Sequence, residues 1–577
     1  MTHQGGGVYM LLYPDKEQII IRVPYSVETK RLIGSIPCAK FDRWEWKIPQ
    51  GNLKEAWEIL RLNHGHLYPY LRGRFPNIDT QGITALLTET MLILRGPEKI
   101  ASYILTCINT ICGYEDVVEE LQKGKGRTQR REFVTLAERI SKTPKTLIIG
   151  FPPGLRSRIK TFLLSLGISV KETSSTTVPA PELNISQAPK YTARDYQIDI
   201  AKQVNEIRRA TIVMPTGSGK TRTAGEIIRT LRLPTLFLTD SRLLLQQTTK
   251  SFEETLGTEV GRVGGGHFDI KPVTVATVQK IRSIFVKAGE MLDVKRLKEE
   301  VINHRGQTPK TDDPREQVLC LLANTRILIV DEAHTLGADA VYNVASLADP
   351  DYAYGLTATP QREDEKGIYT EAATGPLWRP VKESDLIERG YLLPVEVWVI
   401  PFHHARTYKG IALKDMYKVK EEAILNNDKR NDLLIRLAER TQKSHRTLLL
   451  VNEHEHAATL ADKLRTSFIT GSSKAVTQEE AIQNLKDRVI NTLVATPLLE
   501  QGVDIPEAEL LIDGVPRRSV RRIIQSAGRI RRPLPGKTKA YIVTIADIDN
   551  GMFEQQFERK YHILKQAGFK IKILSNV

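Results

Sequence analysis

The chain has 577 residues and a formal net charge of +15, with 83 lysines and arginines against 68 aspartates and glutamates. That length exceeds what one hydrophobic core supports, so we expect several domains. The positive charge favours a polyanionic partner over a small acidic substrate, and a generally basic solvated surface is the alternative.

Neither the apolar runs nor the cysteines indicate a membrane or extracellular protein. No apolar stretch approaches membrane-spanning length, and residues 1–7 lack the charged and then apolar pattern of a signal peptide. The cysteines stand in no metal-ligand spacing; they are Cys38, Cys107, Cys112 and Cys320. We therefore expect buried free thiols, no metal cluster, no membrane partner, and a cytoplasmic protein of a bacterial or phage-infected cell, or one otherwise intracellular.

Residues 1–65 predict a small α+β accessory module. Apolar, β-rich runs at 8–13 and 18–23 flank a Pro-Asp-Lys-Glu turn, which is typical of a hairpin. The tryptophans of a following strand, Trp44 and Trp46, would share one face and either fill a small core or stack on bases. The remaining predicted elements are a helix over 27–36, that strand over 44–48 and a helix over 53–62.

A second accessory domain is expected over residues 66–172, followed over 173–189 by a linker rich in Ser, Thr, Pro and Ala. Apolar spacing over 82–121 predicts helices. The basic run at 123–131 is interrupted by glycines and indicates a loop, either solvated and mobile or gripping phosphates. The last predicted elements of this domain are a strand over 146–150, a helix over 155–166 and a strand over 168–170.

The stretch at residues 211–221 joins an apolar strand to a helix through a glycine-rich turn. Glycines let the backbone N–H groups curl around phosphate oxygens at the positive end of the helix. Lys220 would reach the β- and γ-phosphates of ATP, and the Thr221 hydroxyl would ligate Mg²⁺. Met214 replaces the first glycine of the strict pattern, which weakens this motif taken alone. The residues expected to bind nucleotide here are Pro215, Thr216, Gly217, Ser218, Gly219, Lys220 and Thr221.

A second apolar run, residues 327–330, ends in Asp331 and Glu332. A buried parallel strand with two carboxylates at its carboxyl end is typical of the metal and base site of an α/β sheet. Asp331 would hold Mg²⁺, and Glu332 would polarise the attacking water. A glycine turn and a chance acidic pair are the alternatives for each motif alone, but the two together in this order favour nucleotide hydrolysis.

These two motifs, Met-Pro-Thr-Gly-Ser-Gly-Lys-Thr and Asp-Glu-Ala-His, resemble motifs I and II of the superfamily 2 helicases. Stretches between about residues 190 and 545 resemble the rest of the family's series in the same order. The chain looks most like the DEAH-type, phage UvsW-type and XPB-type helicases. The resemblance implies an α/β fold with two tandem RecA-like lobes, parallel sheets flanked by helices, over 190–375 and 376–577.

The resemblance also assigns roles to single residues. For nucleotide binding and hydrolysis it adds Arg194, Gln197, Gly502, Asp504, Gln525, Arg529 and Arg532, with Arg529 and Arg532 as arginine fingers. For nucleic-acid contact it names Ser241, Arg242, Gly265, Thr277, Gln279 and Thr496. For coupling between the two it names His334, Thr357 and Thr359. Other arginines crowded around Arg529 and Arg532, Arg531 among them, are expected to include DNA-backbone contacts or surface charges.

Inside the lobes, residues 281–324 form a long connection that indicates charged helices. We favour a surface insertion over a contact to a displaced strand. The second lobe should alternate strands and helices. Its predicted strands are 395–400, 447–451, 492–495, 510–512 and 540–545.

These expectations define a function. The chain is expected to be an ATP- and Mg²⁺-dependent helicase or translocase that unwinds, anneals or branch-migrates duplex and branched DNA without sequence preference. Recombination, replication and repair are the expected settings, and replication or recombination proteins are candidate partners. An RNA helicase is one alternative, and a nucleic-acid-stimulated ATPase that remodels a protein–DNA complex without strand separation is another.

Overall fold

A computed structural model of the chain describes most residues between 83 and 574 and three short strands before them. The described residues are 18–21, 40–42, 45–49, 83–96, 101, 104, 105, 108, 109, 112–122, 126–143, 145–165, 167–173, 182–185, 190–240, 242–287, 290–360, 366–405, 416–470, 473, 475–496, 507–516, 528, 530–549, 551–566 and 569–574.

The module at the start of the chain contains an antiparallel sheet. Its strands are β1 (Gln18–Ile21), β2 (Lys40–Asp42) and β3 (Glu45–Pro49), in the order β1–β3–β2. β1 and β3 confirm the strands predicted over 18–23 and 44–48, and they pair with each other. The run at 8–13, both predicted helices and Trp44 lie outside the described residues.

Residues 83–173, which we call the accessory domain, form a five-stranded sheet with a long hairpin attached. The strands are β4 (Thr84–Leu87), β5 (Met91–Arg95), β6 (Gly113–Gln122), β7 (Gly126–Thr135), β8 (Glu138–Thr143), β9 (Thr146–Gly150) and β10 (Val170–Glu172). The sheet order is β10–β4–β5–β9–β8, and β6 pairs with β7. Helix α1 (Arg156–Ser165) packs on this sheet and supplies Ile159 and Leu163 to its core. β9 and α1 confirm the strand and the helix predicted there.

The helical interpretation of residues 82–121 is wrong for β4, β5 and β6, although the described residues within 101–109 are helical. In β5, Leu92 and Leu94 are fully buried while their neighbours are partly exposed, which is the two-residue period of a strand. Apolar residues are dense enough here to fit either period. The loop predicted over 123–131 is also wrong from Gly126 onward, because β7 pairs with β6 along its whole length.

The first lobe is built on an eight-stranded sheet that is parallel except for one edge strand. In chain order its strands are β11 (Arg209–Val213), β12 (Thr235–Thr239), β13 (Gly261–Gly264), β14 (His267–Asp269), β15 (Val273–Thr277), β16 (Ile327–Val330), β17 (Tyr352–Thr357) and β18 (Leu377–Trp378). Their spatial order is β14–β13–β15–β12–β16–β17–β11–β18, and β14 alone runs antiparallel to its neighbour. The helices are α2 (Asp195–Gln203), α3 (Lys220–Leu231), α4 (Arg242–Leu256), α5 (Val278–Phe285), α6 (Val294–Asn303), α7 (Pro314–Asn324), α8 (Asp339–Ala345), α9 (Gly367–Thr374) and α10 (Glu383–Glu388).

Both faces of this sheet are buried, which explains the continuous apolar runs of its strands. Along β12, Phe237 packs into the core on one face, and Leu236 and Leu238 pack into the core on the other. The second core also takes apolar side chains from α6 and α7, including Leu297 and Leu322. The charged helices predicted within 281–324 are therefore present, but they pack on the sheet and are more than a surface insertion.

The second lobe is a seven-stranded parallel sheet with the order β21–β22–β20–β23–β24–β19–β25. Its strands are β19 (Val395–His403), β20 (Thr447–Leu450), β21 (Phe468–Ile469), β22 (Thr492–Ala495), β23 (Leu510–Asp513), β24 (Ala540–Ile548) and β25 (Lys570–Ile573). Its helices are α11 (Met416–Lys420), which continues as a wider turn over Glu421–Leu425, α12 (Asp428–Thr441), α13 (His454–Leu464), α14 (Ala475–Lys486) and α15 (Met552–Gln566). All five predicted strands of this lobe are confirmed, and both sheets confirm the α/β fold of two parallel-sheet lobes.

The first lobe extends beyond β18, and the boundary with the second lobe follows it. β18 pairs with β11 of the first sheet, and Leu386 and Leu392 are buried in the first lobe's core. The second sheet begins at β19. The boundary predicted at 375 rests on motifs, whereas residues 377–392 pack with the first lobe because their apolar side chains complete its core.

Among the described residues, no helix is both long and apolar enough to cross a membrane. Cys112 and Cys320 are buried free thiols, and Cys38 and Cys107 lie outside the described residues. Burial raises the pKa of Cys112 to about 12, which makes that thiol unreactive at neutral pH.

A buried polar cluster in the second lobe predicts a pH-dependent stability. Burial, with Arg430 nearby, lowers the pKa of His456 from 6.5 to about 4, and its Nε2 lies 2.8 Å from the Asn431 Oδ1. The fold therefore favours neutral imidazole. The contribution of this preference to the free energy of unfolding is complete above pH 6.5 and is lost as the pH falls through 4. Its full size is on the order of 3 kcal/mol.

Replacing His456 by Gln should flatten this dependence. We expect the variant to lose less thermal stability than the parent when the pH is lowered from about 7.5 to about 5. His562→Gln, at an exposed position, is the matched control. Equal pH dependence of the parent and of H456Q would contradict the assignment.

Candidate functional site

The candidate site lies at the carboxyl edge of the first sheet. Because its strands run parallel, the segments that follow them meet at one edge. The segments after β16, β17 and β11 are neighbours and carry the nucleotide motifs. The segments after β13, β15 and β12 lie beside them and carry the elements expected to contact nucleic acid. We call the first three segments the nucleotide half of the edge and the other three the nucleic-acid half, after the contacts that are expected of them.

The glycine-rich turn after β11 has the backbone of a phosphate-binding loop. Gly217 and Gly219 have φ values of 82° and 84°, a left-handed conformation that suits glycine, and α3 begins at Lys220. The helix thus directs its N-terminal amides into the turn. Met214, which replaces the first glycine of the pattern, is fully buried in the core, and its amide donates to the Thr357 carbonyl at 3.0 Å. The substitution leaves the turn intact because its side chain points into the lobe.

Residues of α2 hold this turn from behind. The Tyr196 hydroxyl donates to the Ser218 carbonyl, and the Gln197 amide donates to the Ser218 and Gly219 carbonyls at 3.4 and 3.3 Å. The Gln197 Oε1 accepts from the Arg194 backbone amide at 3.0 Å. Gln197 is fully buried. It braces the turn in this arrangement, and its contact to an adenine base stays a prediction.

The two carboxylates after β16 face the turn. The Glu332 Oε1 lies 4.0 Å from the Lys220 Nζ, and the Glu332 Oε2 lies 3.2 Å from the His334 Nδ1. The same imidazole nitrogen lies 3.3 Å from the Thr357 Oγ1. Glu332 adopts a left-handed φ of 43°, which is uncommon for a residue with a side chain and is found where a tight turn aims a functional group. His334 thus links Glu332 to the segment after β17.

The donor set fits a divalent cation. Burial, with the Glu332 charge adding to it, raises the pKa of Asp331 to about 6, so the pair carries more negative charge than Lys220 neutralises. The Asp331 carboxylate and the Thr221 hydroxyl are oxygen donors, which Mg²⁺ prefers. Among the described residues there is no group of three His, Cys, Asp or Glu side chains that could hold a metal. A Mg²⁺ ion held by this carboxylate and this hydroxyl would take its other ligands from water and from phosphate oxygens, as this ion usually does.

The second lobe touches the turn directly. A β-carbon on Gly528 would lie 2.1 Å from the Thr216 Cβ, and one on Gly217 would lie 2.6 Å from the Gly528 carbonyl oxygen. Arg531 follows and is 1% exposed. Its Nη2 donates to the Glu383 Oε1 at 2.8 Å, and its Nε donates to the Leu393 carbonyl at 3.2 Å. These bonds fix the segment around Gly528 to residues that pack with the first lobe.

The nucleic-acid half has its own internal bonds. The Gln279 amide donates to the Asp240 Oδ1 at 3.0 Å, which joins the segment after β15 to the one after β12. The Thr277 Oγ1 accepts from the Lys280 amide at 3.4 Å and so caps α5. Gly265 lies in the turn between β13 and β14, with a φ of 59°. In the second lobe, Thr496 directly follows β22.

The structure brings together part of the predicted site. Pro215 through Thr221, Asp331, Glu332, His334 and Thr357 meet around the turn, and the Thr359 amide donates to the Thr357 hydroxyl at 3.2 Å. Arg242 begins α4, and Arg532 is exposed after Arg531. Predicted residues outside the described part of the chain are Ser241, Gly502, Asp504, Gln525 and Arg529.

Two family models match the chain over these lobes. The model described as type III restriction enzyme, res subunit, matches residues 190–362, and the helicase conserved C-terminal domain matches residues 429–533. The chain belongs to the superfamily 2 helicases. It is accordingly a nucleic-acid-dependent ATPase of the helicase type, while its place in the DEAH group stays a prediction.

Relatives of this helicase include named DNA translocases. It is 23% identical over 412 residues to the DNA 3'-5' translocase XPB2 of Sulfurisphaera tokodaii, a match that covers 65% of this chain and 85% of the relative. It is also 23% identical to the zebrafish (Danio rerio) general transcription and DNA repair factor IIH helicase/translocase subunit XPB, over 69% of this chain and 50% of the relative. The solved structure of T4 UvsW aligns with 86% of this chain and 99% of its own, at 14% identity and a TM-score of 0.35.

Sequence reasoning missed several residues of this helicase that the structure places at the site. Arg531 was grouped with DNA-backbone and surface charges, and only tertiary packing shows that it is buried between the lobes. Tyr391 lies edge-on to Tyr196 at 5.4 Å and receives the Arg194 guanidinium over its ring at 5.0 Å. No sequence signal marks Tyr391, because it lies almost two hundred residues from the motif it contacts.

Proposed function

We propose that this helicase is an ATP-driven DNA translocase that acts on duplex and branched DNA in replication, recombination or repair. The observation that carries the proposal is the divided edge of the first sheet, with the nucleotide turn held against Gly528 of the second lobe. A change at the nucleotide can thus move one lobe against the other while both contact a strand. The named DNA translocases among the relatives and the net charge of +15 support DNA as the substrate.

The proposed roles in ATP hydrolysis follow from these positions. The N–H groups of residues 215–221 bind the phosphates, and Lys220 neutralises the β- and γ-phosphates. Glu332 accepts a hydrogen bond from water, whose oxygen attacks the γ-phosphorus as the bond to ADP breaks. Asp331 and Thr221 hold Mg²⁺, which supplies charge neutralisation at the phosphates when bound. Arg194 and Gln197 lie on the side of the site that is proposed to contact the adenine base of ATP.

The second lobe is proposed to complete the site. In this proposal Gln525, Arg529 and Arg532 contact the phosphates, and so do Gly502 and Asp504. A guanidinium that arrives from the second lobe stabilises the charge that develops on the transferring phosphoryl group. Hydrolysis then depends on lobe closure. His334, Thr357 and Thr359 transmit the state of Glu332 to the sheet edge that carries the nucleic-acid contacts.

DNA is proposed to bind along the other half of that edge. The residues assigned to this contact are Ser241, Arg242, Gly265, Thr277, Gln279 and Thr496. The turn at Gly265 and the helix N-termini at Arg242 and Thr277 offer backbone N–H groups to phosphates, which gives binding without sequence preference. Affinity should therefore fall steeply with salt.

One experiment separates this function from its alternatives. ATP hydrolysis by the whole chain is measured with single-stranded DNA, duplex DNA, a four-way DNA junction and RNA of equal length. We expect stimulation by DNA of at least about tenfold, greatest with duplex or junction. Glu332→Gln, which cannot accept the water proton, is the control for contaminating ATPase. The whole chain is needed because deleting the accessory domain would expose Ile368 and Tyr369, which are buried in its core.

Other outcomes would assign the alternatives. Equal or greater stimulation by RNA would contradict the DNA proposal and assign an RNA helicase. Stimulation by DNA with no strand separation, annealing or junction movement in a labelled-strand assay would assign an ATPase that remodels protein–DNA complexes.

A further inference from the structure

Helix α9 joins the accessory domain to the catalytic carboxylate. It lies in the first lobe after the segment that carries Thr357 and Thr359, and one of its faces is buried in the core of the accessory domain. The residues that it contributes to that core are Ile368, Tyr369 and Ala372. Where it meets α9, the accessory domain therefore shares one hydrophobic core with the first lobe.

The contact on the accessory side is close and specific. The Arg158 Nε donates to the Glu371 Oε1 at 3.0 Å, and the Arg158 Nη2 donates to the other carboxylate oxygen, which makes a two-pronged ion pair. Both side chains are less than one-fifth exposed. Gly154 lies against the helix backbone, since a β-carbon there would be 1.9 Å from the Glu371 carbonyl oxygen. Only a glycine allows this approach.

The opposite side of α9 bonds to the segment that carries Glu332. The Thr370 hydroxyl is buried and donates to the Ala333 carbonyl at 3.1 Å. Ala333 directly follows Glu332, whose left-handed φ needs support from its surroundings. The ring of Tyr369 also packs on Tyr342 of α8 at 4.5 Å, just beyond the turn over Ala333–Gly337. Glu371 and Thr370 are consecutive residues of α9, so a single peptide unit joins the Arg158 ion pair to the hydrogen bond with the catalytic segment.

We propose that the accessory domain positions Glu332 through α9, with Arg158 and Thr370 as positioning residues for ATP hydrolysis. The ion pair fixes α9 on the accessory domain, and the Thr370 hydroxyl fixes the backbone next to Glu332. Displacement of a catalytic group by 1 Å can cost about a hundredfold in rate. Contacts that hold the turn at Glu332 in place should therefore affect the rate of hydrolysis. A DNA structure that moves the accessory domain would change the rate by this route.

Two variants test the two ends of this connection. Arg158→Met removes the ion pair and keeps most of the side-chain volume, and Thr370→Val removes the hydroxyl and keeps the shape. We expect each to lower kcat about five- to twentyfold, with KM for ATP within about twofold of the parent, because the phosphate-binding turn is untouched. Thr370→Ser, which restores the hydroxyl, should recover most of the rate.

The matched control is Glu172→Gln. Glu172 pairs with Arg156 and Lys160 of the same helix α1, so the change removes ion pairs from the accessory domain without touching α9. Its kcat should stay at the parent value, and its thermal midpoint reports the cost of losing such a pair. A kcat loss in E172Q equal to that in R158M would assign a general effect on folding and would overturn the proposal.

Parent-like kcat in both R158M and T370V would also overturn it. If R158M fails to fold, the rates of T370V and T370S test the proposal, because Thr370 lies in the first lobe and outside the ion pair. The rates are measured without nucleic acid and with duplex DNA. If DNA does not stimulate ATP hydrolysis by the parent enzyme, the proposed function is contradicted. The rates measured without nucleic acid would still test the connection through α9.

Discussion

Glu332→Gln should lower kcat for ATP hydrolysis by about 10²- to 10³-fold, the largest loss that we expect from a single change. The amide cannot take up the proton of the attacking water. Its volume and its place between Lys220 and His334 are kept, so nucleotide binding should be retained or slightly tightened. Phosphate release in single-turnover and steady-state experiments, with a fluorescent ADP for affinity, gives both quantities.

The control for this variant is Glu299→Gln, on an exposed position of α6, which should hydrolyse ATP at the parent rate. Titration of the Mg²⁺-free proteins adds a second check. The pKa of Asp331 is raised to about 6 by burial and by the Glu332 charge, so removing that charge should lower the pKa of Asp331. Hydrolysis by E332Q at more than about a tenth of the parent rate would contradict the assignment of Glu332.

Arg531→Met should combine a loss of about tenfold in kcat with lower stability. The guanidinium is buried between the lobes and bonds to Glu383 and to the Leu393 carbonyl. Removing it frees the segment that presses Gly528 against the phosphate turn. Glu383 is about one-third exposed and can rehydrate, so we expect a cost of about 1–3 kcal/mol rather than that of a stranded buried charge.

Comparison with Arg531→Lys and Glu383→Gln separates position from charge. Lysine keeps the charge but cannot serve both acceptors, so R531K should resemble R531M in kcat. E383Q keeps an oxygen acceptor and should lose less than about threefold. Thermal unfolding and steady-state hydrolysis measure the two effects. If R531M hydrolyses ATP with the parent kcat, the bonds from Arg531 to Glu383 and to the Leu393 carbonyl do not limit hydrolysis.

Much of the catalytic edge was predictable because its signals are local. The turn at 211–221 combines an apolar strand, glycines and a helix start within eleven residues, and the Asp331–Glu332 pair follows its own buried strand. Short-range sterics and burial on both faces specify such elements wherever they occur. Five of the seven strands of the second lobe were predicted for the same reason.

Other parts were not predictable from local signals. β5 and β6 lie in a stretch whose apolar residues fit a helical spacing. Pairing with the distant strand β9 holds β5 extended, and pairing with the next strand, β7, holds β6 extended. Gln197 also braces the phosphate turn, because its amide bonds to the carbonyls of that turn, and the residues next to Gln197 in the sequence give no signal of this role.

The sequence by itself determined the family, the two parallel-sheet lobes and the pair of carboxylates that follows β16, because each depends on residues close together in the chain. Tertiary structure alone decided which arginine is buried between the lobes and which helix connects the accessory domain to Glu332. The Arg158–Glu371 pair joins residues 213 positions apart, and the Arg531–Glu383 pair joins residues 148 apart. Such contacts form only when complete domains pack, and packing depends on shape and burial that no local pattern encodes.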